Sequence, residues 1–267
     1  MKKIVVVFIS IILFNCNKKP ETSQEVLNKE VVEDAIEPTT PEETEFYEPL
    51  PPTVNPTAQN GVPSDAIVLF DGSNLDAWEH SKDGRAVEWL LNADGSMTVK
   101  DKSGDIRTKQ KFGSVQLHVE WKSPKETQAK GQNRANSGVF LQERYEVQVL
   151  DNNDNDTYVN GQVGSVYKQS VPLAKASVPS GKWNTYDIIY HAPEFNDKGE
   201  KTKSATVTVL HNGVLIQNHF ELEGPTAYIG KSSYFPHPEK MPLRLQDHGD
   251  LVSFRNIKIR PLSVKEE

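Results

Sequence analysis

The chain has 267 residues, a formal net charge of −7, about 25% charged residues and 36% apolar residues. This balance is typical of a globular protein. The sequence is not basic and does not interleave aromatic with basic residues, so we do not expect it to bind nucleic acid. Cys16 is the single cysteine, so no internal disulfide can form and the fold must be held by burial alone.

The first residues have the pattern of a bacterial export signal. Lys2 and Lys3 precede an apolar run from 4 to 14, and Cys16 follows at once. A helix of that length spans about 16 Å, against about 30 Å for a bilayer core, which favours a cleaved signal peptide over a membrane span. The stretch 13–16 resembles a lipoprotein box, and this implies acylation of Cys16. The alternative is a secreted protein with an incidental cysteine.

Residues 17–63 are rich in acidic residues and prolines and poor in aromatics. Such a segment buries too little apolar surface to offset its ordering entropy, so we predict an extended, disordered linker. Lys18 and Lys19 provide no acidic signal for surface export, and we therefore expect a membrane anchor, in the outer membrane, that faces the periplasm. The predicted organisation is a signal peptide to residue 16, this linker, a domain over 64–262 and a tail over 263–267.

The domain reads as a series of strands with turn signals between them. Alternation over 114–121 places Val115, Leu117, Val119 and Trp121 on one face. Asn212-Gly213 between two β-rich runs predicts a tight hairpin. Further strand patterns, without a convincing amphipathic helix, indicate an antiparallel sandwich or barrel: 67–70, 183–191, 206–210, 214–217, 243–247 and 251–259.

The last of these strands contains a change of phase. Val252 and Phe254 share one face, and Ile257 and Ile259 share a face that is offset by one residue. A regular strand cannot bury all four side chains on one side, so we predict a β-bulge near Arg255, or a sheet that is covered on both faces there.

Three strand patterns carry chemically capable side chains opposite the apolar face. Strict alternation over 137–142, 145–151 and 243–248 sends one set of polar and aromatic residues to that face: Phe140, Gln142, Glu146, Gln148, Arg244, Gln246 and His248. If these strands lie in one curved sheet, its exposed face carries an acid, an imidazole, an arginine, amides and an aromatic ring, and we expect a sugar-binding surface with acid–base capacity. The plainer interpretation is a solvated sheet face.

Several ordered motifs resemble the domain-of-unknown-function family 1080, also called the 3-keto-disaccharide hydrolase domain. The resemblance covers about residues 65–262. It rests on these stretches: Leu69-Phe70-Asp71-Gly72 with Leu75 and Trp78, Asn136-Ser137-Gly138-Val139-Phe140-Leu141, Tyr145-Glu146-Val147-Gln148-Val149-Leu150-Asp151, Gly164-Ser165-Val166-Tyr167, Trp183-Asn184, Asn212-Gly213, and Leu245-Gln246-Asp247-His248-Gly249 followed by Phe254-Arg255-Asn256-Ile257.

The resemblance implies an all-β, concanavalin-like jelly-roll sandwich of two curved antiparallel sheets, with its site on the concave face. It also implies action on glycosides whose sugar is oxidised at C3. The ketone acidifies the C2 proton, so a base can expel the C1 substituent by elimination, and water then gives net hydrolysis. Glu146 or His248 would be the base or the acid, while Gln148, Gln246, Arg244 and Tyr167 would bind hydroxyls or the enolate.

Two other functions stay open at this stage. One is a non-catalytic carbohydrate-binding module. The other is a conventional glucanase on the same fold, in which a bulge would bring Asp151 beside Glu146 as a second carboxyl. Trp89 and Trp121 are candidate sugar platforms, although alternation favours a core position for Trp121.

We predict no cofactor for this domain. The loop Asp151–Asp156 is rich in oxygen ligands, so a calcium site there is the alternative. It is disfavoured because Asp156 stands at the sixth position, where an EF-hand needs glycine, and Gln162 at the twelfth, where it needs glutamate. The expected partners are an oxidised, 3-keto glycoside or oligosaccharide and, through the anchor, a membrane. The sequence names no protein partner.

Overall fold

A computed structural model of the chain describes residues 37–262. The predicted signal peptide, with Cys16, and the tail after 262 lie outside these residues. The chain divides into a unit that ends at Pro52 and a compact unit that begins at Thr53. Within the first, residues 37–52 are all exposed and contain a 3-10 turn at Pro41–Thr44. No helix within 37–262 is long and apolar enough to cross a membrane.

The compact unit is built almost entirely from strands. In the described residues it has one four-residue helix, α1 (Ala58–Gly61), and 3-10 turns at Gly131–Asn133 and Val159–Gly161. Its strands are β1 (Ile67–Phe70), β2 (Trp78–His80), β3 (Leu90–Leu91), β4 (Met97–Thr98), β5 (Ile106–Phe112), β6 (Val115–Lys122), β7 (Ser137–Leu141), β8 (Tyr145–Val149), β9 (Asn184–His191), β10 (Glu194–Phe195), β11 (Lys201–Lys203), β12 (Thr206–His211), β13 (Val214–Glu221), β14 (Met241–Leu245) and β15 (Ser253–Pro261).

The strands form two antiparallel sheets and a small hairpin. One sheet has eight strands in the order β13-β12-β9-β6-β15-β4-β3, with β1 also paired to β15. The other has five strands in the order β2-β5-β14-β7-β8. The β10–β11 pair stands apart from both. The predicted concanavalin-like sandwich is confirmed, and β7, β8 and β14, which carry the predicted polar face, lie side by side.

The core fills the space between the two sheets. The predicted inner face of β6 is confirmed, because Val115, Leu117, Val119 and Trp121 are all at most 1% exposed. The sheets also contact directly, since Tyr186 on β9 donates its hydroxyl proton to the backbone oxygen of Gln148 on β8 at 2.7 Å. This bond links the predicted site strand to the opposite sheet.

Both tryptophans that were candidate sugar platforms belong to this core. Trp89 is 4% exposed and stacks on Phe254 with ring centroids 5.8 Å apart. Trp121 packs against Tyr186 at 5.6 Å. A buried ring has no free face for a sugar, so the platform interpretation is wrong for both.

The two local predictions on chain geometry are confirmed. Asn212 and Gly213 connect β12 to β13 with backbone φ angles of 51° and 79°, the left-handed values that a type I′ hairpin turn needs. In β15 the pairing with β6 shifts register between Arg255 and Lys258, and Asn256 has a φ of 48°. That bulge restores the phase, so Val252, Phe254, Ile257 and Ile259 are all at most 1% exposed.

Candidate active site

A pocket of about 500 Å³ opens on the face of the five-stranded sheet that points away from the core. Alternation along β7 and β8 produces this face: Val139, Val147 and Val149 point into the core, while the residues between them point outward. The pocket is lined by Gln132, Asn133, Asn136, Phe140, Glu146, Gln148, Tyr158, Tyr167, Thr226, Tyr228, Gln246 and His248.

The structure brings together most of the residues that alternation singled out. Glu146 and Gln148 reach the pocket from β8, and Gln246 and His248 reach it from the segment that follows β14. Glu146 is 5% exposed and Gln148 is 1% exposed, because the surrounding loops cover the sheet face, whereas His248 is exposed. The site therefore combines the buried Glu146 carboxyl with the solvent-exposed His248 imidazole.

Gly138 makes the space for the Glu146 side chain. On the neighbouring strand β7, Gly138 pairs with Gln148, and Phe140 pairs with Glu146. A Cβ atom on Gly138 would lie 2.6 Å from Glu146 Oε1 and 2.6 Å from a Phe140 ring carbon. Glycine is therefore required here for the close approach of side chains, since its backbone φ is not in the left-handed region.

Burial raises the pKa of the Glu146 carboxyl from 4.5 to about 8. The positive charge of Arg244 opposes this rise and the negative charge of Asp105 adds to it. At neutral pH the larger fraction of Glu146 is thus protonated, which suits a proton donor.

Arg244 on β14 lies beside the pocket residue Phe140, its partner on β7. Its guanidinium lies 3.7 Å from the centre of the Phe140 ring and forms an ion pair with Asp105. The Asp105 carboxylate also accepts the backbone proton of Asp247 at 2.9 Å, close to Gln246 and His248 in sequence. The arginine predicted to bind substrate is thus on the predicted face, but its charge is already paired, and it supports Phe140 and the segment that carries His248.

Aromatic residues form one rim of the pocket. The Tyr167 hydroxyl lies 2.6 Å from the Tyr158 hydroxyl, and both residues line the pocket together with Tyr228. Burial and the Tyr158 hydroxyl raise the pKa of Tyr167, so it stays neutral and keeps a proton to donate. Lys168 Nζ lies 4.5 Å from the Tyr228 ring and donates to the backbone oxygen of that residue at 2.6 Å. This rim supplies apolar ring surface beside hydroxyl donors.

The comparison with known families agrees with this geometry. A family model described as the 3-keto-alpha-glucoside-1,2-lyase-like domain matches residues 65–260. The chain belongs to this family. The match contains every strand of both sheets, apart from the last residue of β15, and it contains every residue that lines the pocket.

Individual relatives point the same way. A protein of Bacteroides thetaiotaomicron named 3-keto-disaccharide hydrolase is 25% identical over 247 residues, covering 73% of this chain and 78% of that protein. A Parabacteroides distasonis crystal structure, provisionally described as a glycosyl hydrolase, is 53% identical with a TM-score of 0.78, covering 84% of this chain and 97% of that one. A second Parabacteroides distasonis structure with the same description, at 23% identity and a TM-score of 0.54, covers 74% of this chain and 94% of that one and supports the fold alone. The domain is thus of a carbohydrate-active, glycoside hydrolase-like type.

Gln142 does not belong to the pocket of this family member. The prediction extended the alternation of β7 by one residue, but β7 ends at Leu141, and Gln142 has a left-handed φ of 51°. Its Nε2 donates to the backbone oxygen of Glu239 at 2.6 Å, and its Oε1 accepts a proton from Tyr190 on the opposite sheet at 2.8 Å. Gln142 is a buried structural amide, and its assignment to substrate binding is wrong.

Asp151 is also placed away from the pocket. It follows the end of β8, its side chain is fully buried, and it accepts hydrogen bonds from Ser180 Oγ at 2.6 Å and Asn153 N at 3.1 Å and pairs with Arg134 at 3.3 Å. Burial alone would raise its pKa, but the bonds from Ser180 and Asn153 hold the pKa below its ordinary value. Within the described chain Glu146 is the one carboxyl that lines the pocket, so the paired carboxyls of a retaining glucanase are not formed.

Several pocket residues have no signal in the sequence pattern. Gln132, Asn133 and Asn136 lie in and after a 3-10 turn, Tyr158 precedes another, and Thr226 and Tyr228 lie in the long segment between β13 and β14. Strand alternation extends at most a few residues past a strand end, as at Gln246 and His248 after β14, and gives no information on these turns and loops. Among these residues, only Asn136 has a signal in the sequence, because it opens one of the motifs on which the family resemblance rests.

The acidic loop after β8 is organised by amide groups. Asn155 Nδ2 donates to Asp151 O at 2.8 Å and to Gly131 O at 3.0 Å, and its Oδ1 accepts from Gly131 N at 2.6 Å. Across residues 37–262 no group of three or more histidine, cysteine or acidic side chains is arranged to hold a metal ion. The Asp151 and Asn155 side chains thus fix this loop against neighbouring segments of the chain.

Proposed function

We propose that this domain cleaves the glycosidic bond of 3-keto-glycosides by elimination across C1 and C2, followed by hydration. The observation that carries the proposal is the convergence of Glu146, Gln148, Gln246 and His248 in one pocket of a 3-keto-glucoside-type domain. Elimination needs a base at C2, a donor for the leaving oxygen and a donor for the enolate, and these residue types supply all three.

The two acid–base roles are assigned by their surroundings. In the proposal, the His248 imidazole takes the C2 proton, and the C2–H electrons form the enolate of the C3 ketone. The C1–O bond then breaks, and the leaving oxygen takes the proton of Glu146, whose raised pKa of about 8 keeps it protonated near neutral pH. The products are an unsaturated 3-keto sugar and the free alcohol.

Hydration returns both groups to their starting state. The Glu146 carboxylate removes a proton from water as the water oxygen attacks C1. The exposed His248 imidazolium exchanges its proton with solvent and then delivers a solvent-derived proton to C2. The balance is net hydrolysis. We assign Gln246 to substrate binding in this scheme, because it lines the pocket and its buried Oε1 has no hydrogen-bond partner in the described part of the protein.

Isotopes at C2 test this mechanism directly. Turnover of a 3-keto-glucoside in deuterated water is expected to leave deuterium at C2 of the released sugar, and a substrate deuterated at C2 is expected to react several-fold more slowly. Direct displacement at C1 does not break the C2–H bond and gives neither result. The same glycoside without the C3 ketone is the control and is expected to stay intact, because its C2 proton is not acidified. Binding without cleavage of any 3-keto-glycoside would instead favour a carbohydrate-binding module.

We also propose that the domain acts from the outer membrane on the periplasmic side, anchored through a lipid on Cys16. The lipoprotein-box pattern and the acidic, proline-rich stretch after it support this proposal. Labelling of cells with a palmitate analogue is expected to mark the wild-type protein, and C16S is expected to abolish the label and move the protein to the soluble periplasmic fraction. A labelled C16S variant would contradict the proposal.

A further inference from the structure

A row of hydrogen-bonding groups runs from the Gly161 backbone through two glutamine amides to Glu146. Gln132 Nε2 donates to Gly161 O and to Thr157 Oγ1, both at 2.8 Å. An amide has donors on nitrogen and acceptors on oxygen only, so turning the Gln132 amide over would set its oxygen against the Gly161 carbonyl. Gln132 is therefore fixed with its Oε1 presented to Gln148 as an acceptor.

The Gln148 amide has hydrogen-bond acceptors on both sides, and they compete for its nitrogen. One end of its amide lies 3.1 Å from Gln132 Oε1, and the other lies 2.9 Å from Glu146 Oε1 and 3.3 Å from Ser137 O. Its nitrogen can face only one of these sides. With the nitrogen toward Gln132, it also lies 3.5 Å from Asn136 Oδ1, while the Gln148 oxygen opposes the Ser137 carbonyl oxygen and faces Glu146. The Glu146 contact is then a hydrogen bond only if Glu146 carries the proton. With the nitrogen toward Glu146, it donates to the ionised carboxylate and to Ser137, while two oxygens oppose each other at Gln132.

We propose that Gln148 is a proton-coupled amide switch: Gln132 holds it in the orientation that accepts the Glu146 proton, and it turns over to donate to the carboxylate when that proton leaves. Gln132 is then a positioning residue, which acts on Glu146 through Gln148. The catalytic meaning of the switch rests on the proposed function, because only there does the Glu146 proton go to a leaving oxygen. The switch itself is a property of the resting protein.

Other charged and titratable groups face Glu146 from the elements packed around it. They are Arg244 from β14, Asp105 from the segment before β5, Tyr167 from the segment after β8, and His248, which shares the pocket. Arg244 favours the ionised form of Glu146, and Asp105 favours the protonated form. All four groups are kept in glutamine variants, so a change in the Glu146 pKa in such a variant belongs to the amides.

The test is the Glu146 pKa in Q132M, measured in the full-length protein by NMR titration of 13C-carboxyl-labelled glutamate, with E146Q identifying the signal. Once Gln132 no longer offers an acceptor, Gln148 is free to donate to the carboxylate, so the pKa is expected to fall by about one unit. Burial alone predicts the opposite sign or no change, because methionine is less polar than glutamine. Q132L provides the same test if Q132M does not fold.

A double-variant cycle shows whether the effect passes through Gln148. In a Q148M background, Q132M is expected to leave the Glu146 pKa unchanged. The matched control is Q142M in the wild-type background, which removes a buried amide outside the pocket and is expected to leave the Glu146 pKa unchanged. The switch would be overturned if the Glu146 pKa is unchanged or raised in Q132M. It would also be overturned if Q132M lowers the Glu146 pKa equally in the wild-type and Q148M backgrounds.

The pH dependence of turnover separates this proposal from the proposed function. In Q132M the alkaline limb of the kcat/KM profile is expected to move to lower pH together with the Glu146 pKa. If the NMR shift is found but no variant, nor the wild type, cleaves a 3-keto-glycoside, the switch stands and the proposed function fails.

Discussion

Replacing Glu146 by glutamine is expected to lower kcat/KM for a 3-keto-glucoside by about 10²–10⁴-fold. The side chain keeps its size and its amide can still bind a sugar, but it has no proton of suitable acidity for the leaving oxygen. Because the substitution removes proton transfer and not binding, the loss should be in kcat, with KM changed much less. Steady-state kinetics with one 3-keto-glucoside measures both quantities.

The same variant is expected to be at least as stable as the wild type, which separates lost chemistry from lost folding. The pKa of Glu146 is raised on folding from 4.5 to about 8, so the native state binds this proton more tightly than the unfolded state does. Its contribution to stability is complete below the unfolded pKa and is lost as the pH rises through the folded pKa. Thermal unfolding should therefore show the wild type weakening from pH 5 to pH 9 relative to E146Q. Unchanged turnover in a folded E146Q would remove Glu146 from the mechanism.

The strands that carry the site were predictable because their side chains obey one simple rule. Alternation placed Glu146 and Gln148 opposite Val147 and Val149, and the structure has them there. The phase change between Phe254 and Ile257 likewise required a bulge, which is present. In each case the need to bury apolar side chains between two sheets decides which way the intervening residues point.

Alternation is unreliable beyond the end of a strand: it holds for Gln246 and His248 after β14 but not for Gln142 after β7. Gln142 would follow Phe140 to the pocket only if β7 continued, but the left-handed Gln142 begins the turn to β8, and its side chain bonds to Tyr190 on the opposite sheet. Gln132, which fixes the orientation of the central amide, comes from a 3-10 turn with no period to read. Its place depends on bonds to Thr157 and Gly161, far along the chain, and such bonds are visible only in three dimensions.

Replacing Asp151 by alanine is expected to have the opposite profile to E146Q, with a large loss of stability and little loss of chemistry. The variant removes the acceptor of Ser180 and Asn153 and leaves Arg134, 18% exposed, without its carboxylate partner. Such a loss costs about 2–4 kcal/mol of the free energy of unfolding. The cost should shrink in acid, because the lowered pKa of Asp151 gives a contribution that is present above the unfolded value and is lost as the pH falls through the folded one.

Urea unfolding at neutral pH measures this stability loss, and D156A, at an exposed position of the same loop, is the matched control with little effect expected. Per folded molecule, kcat/KM of D151A should stay within about threefold of the wild type, because Asp151 does not line the pocket. A loss of turnover as large as that of E146Q, in a variant that remains folded, would return Asp151 to the chemistry and revive the two-carboxyl mechanism. The pair of variants thus distinguishes an acid that gives up a proton from an acid that holds a loop in place.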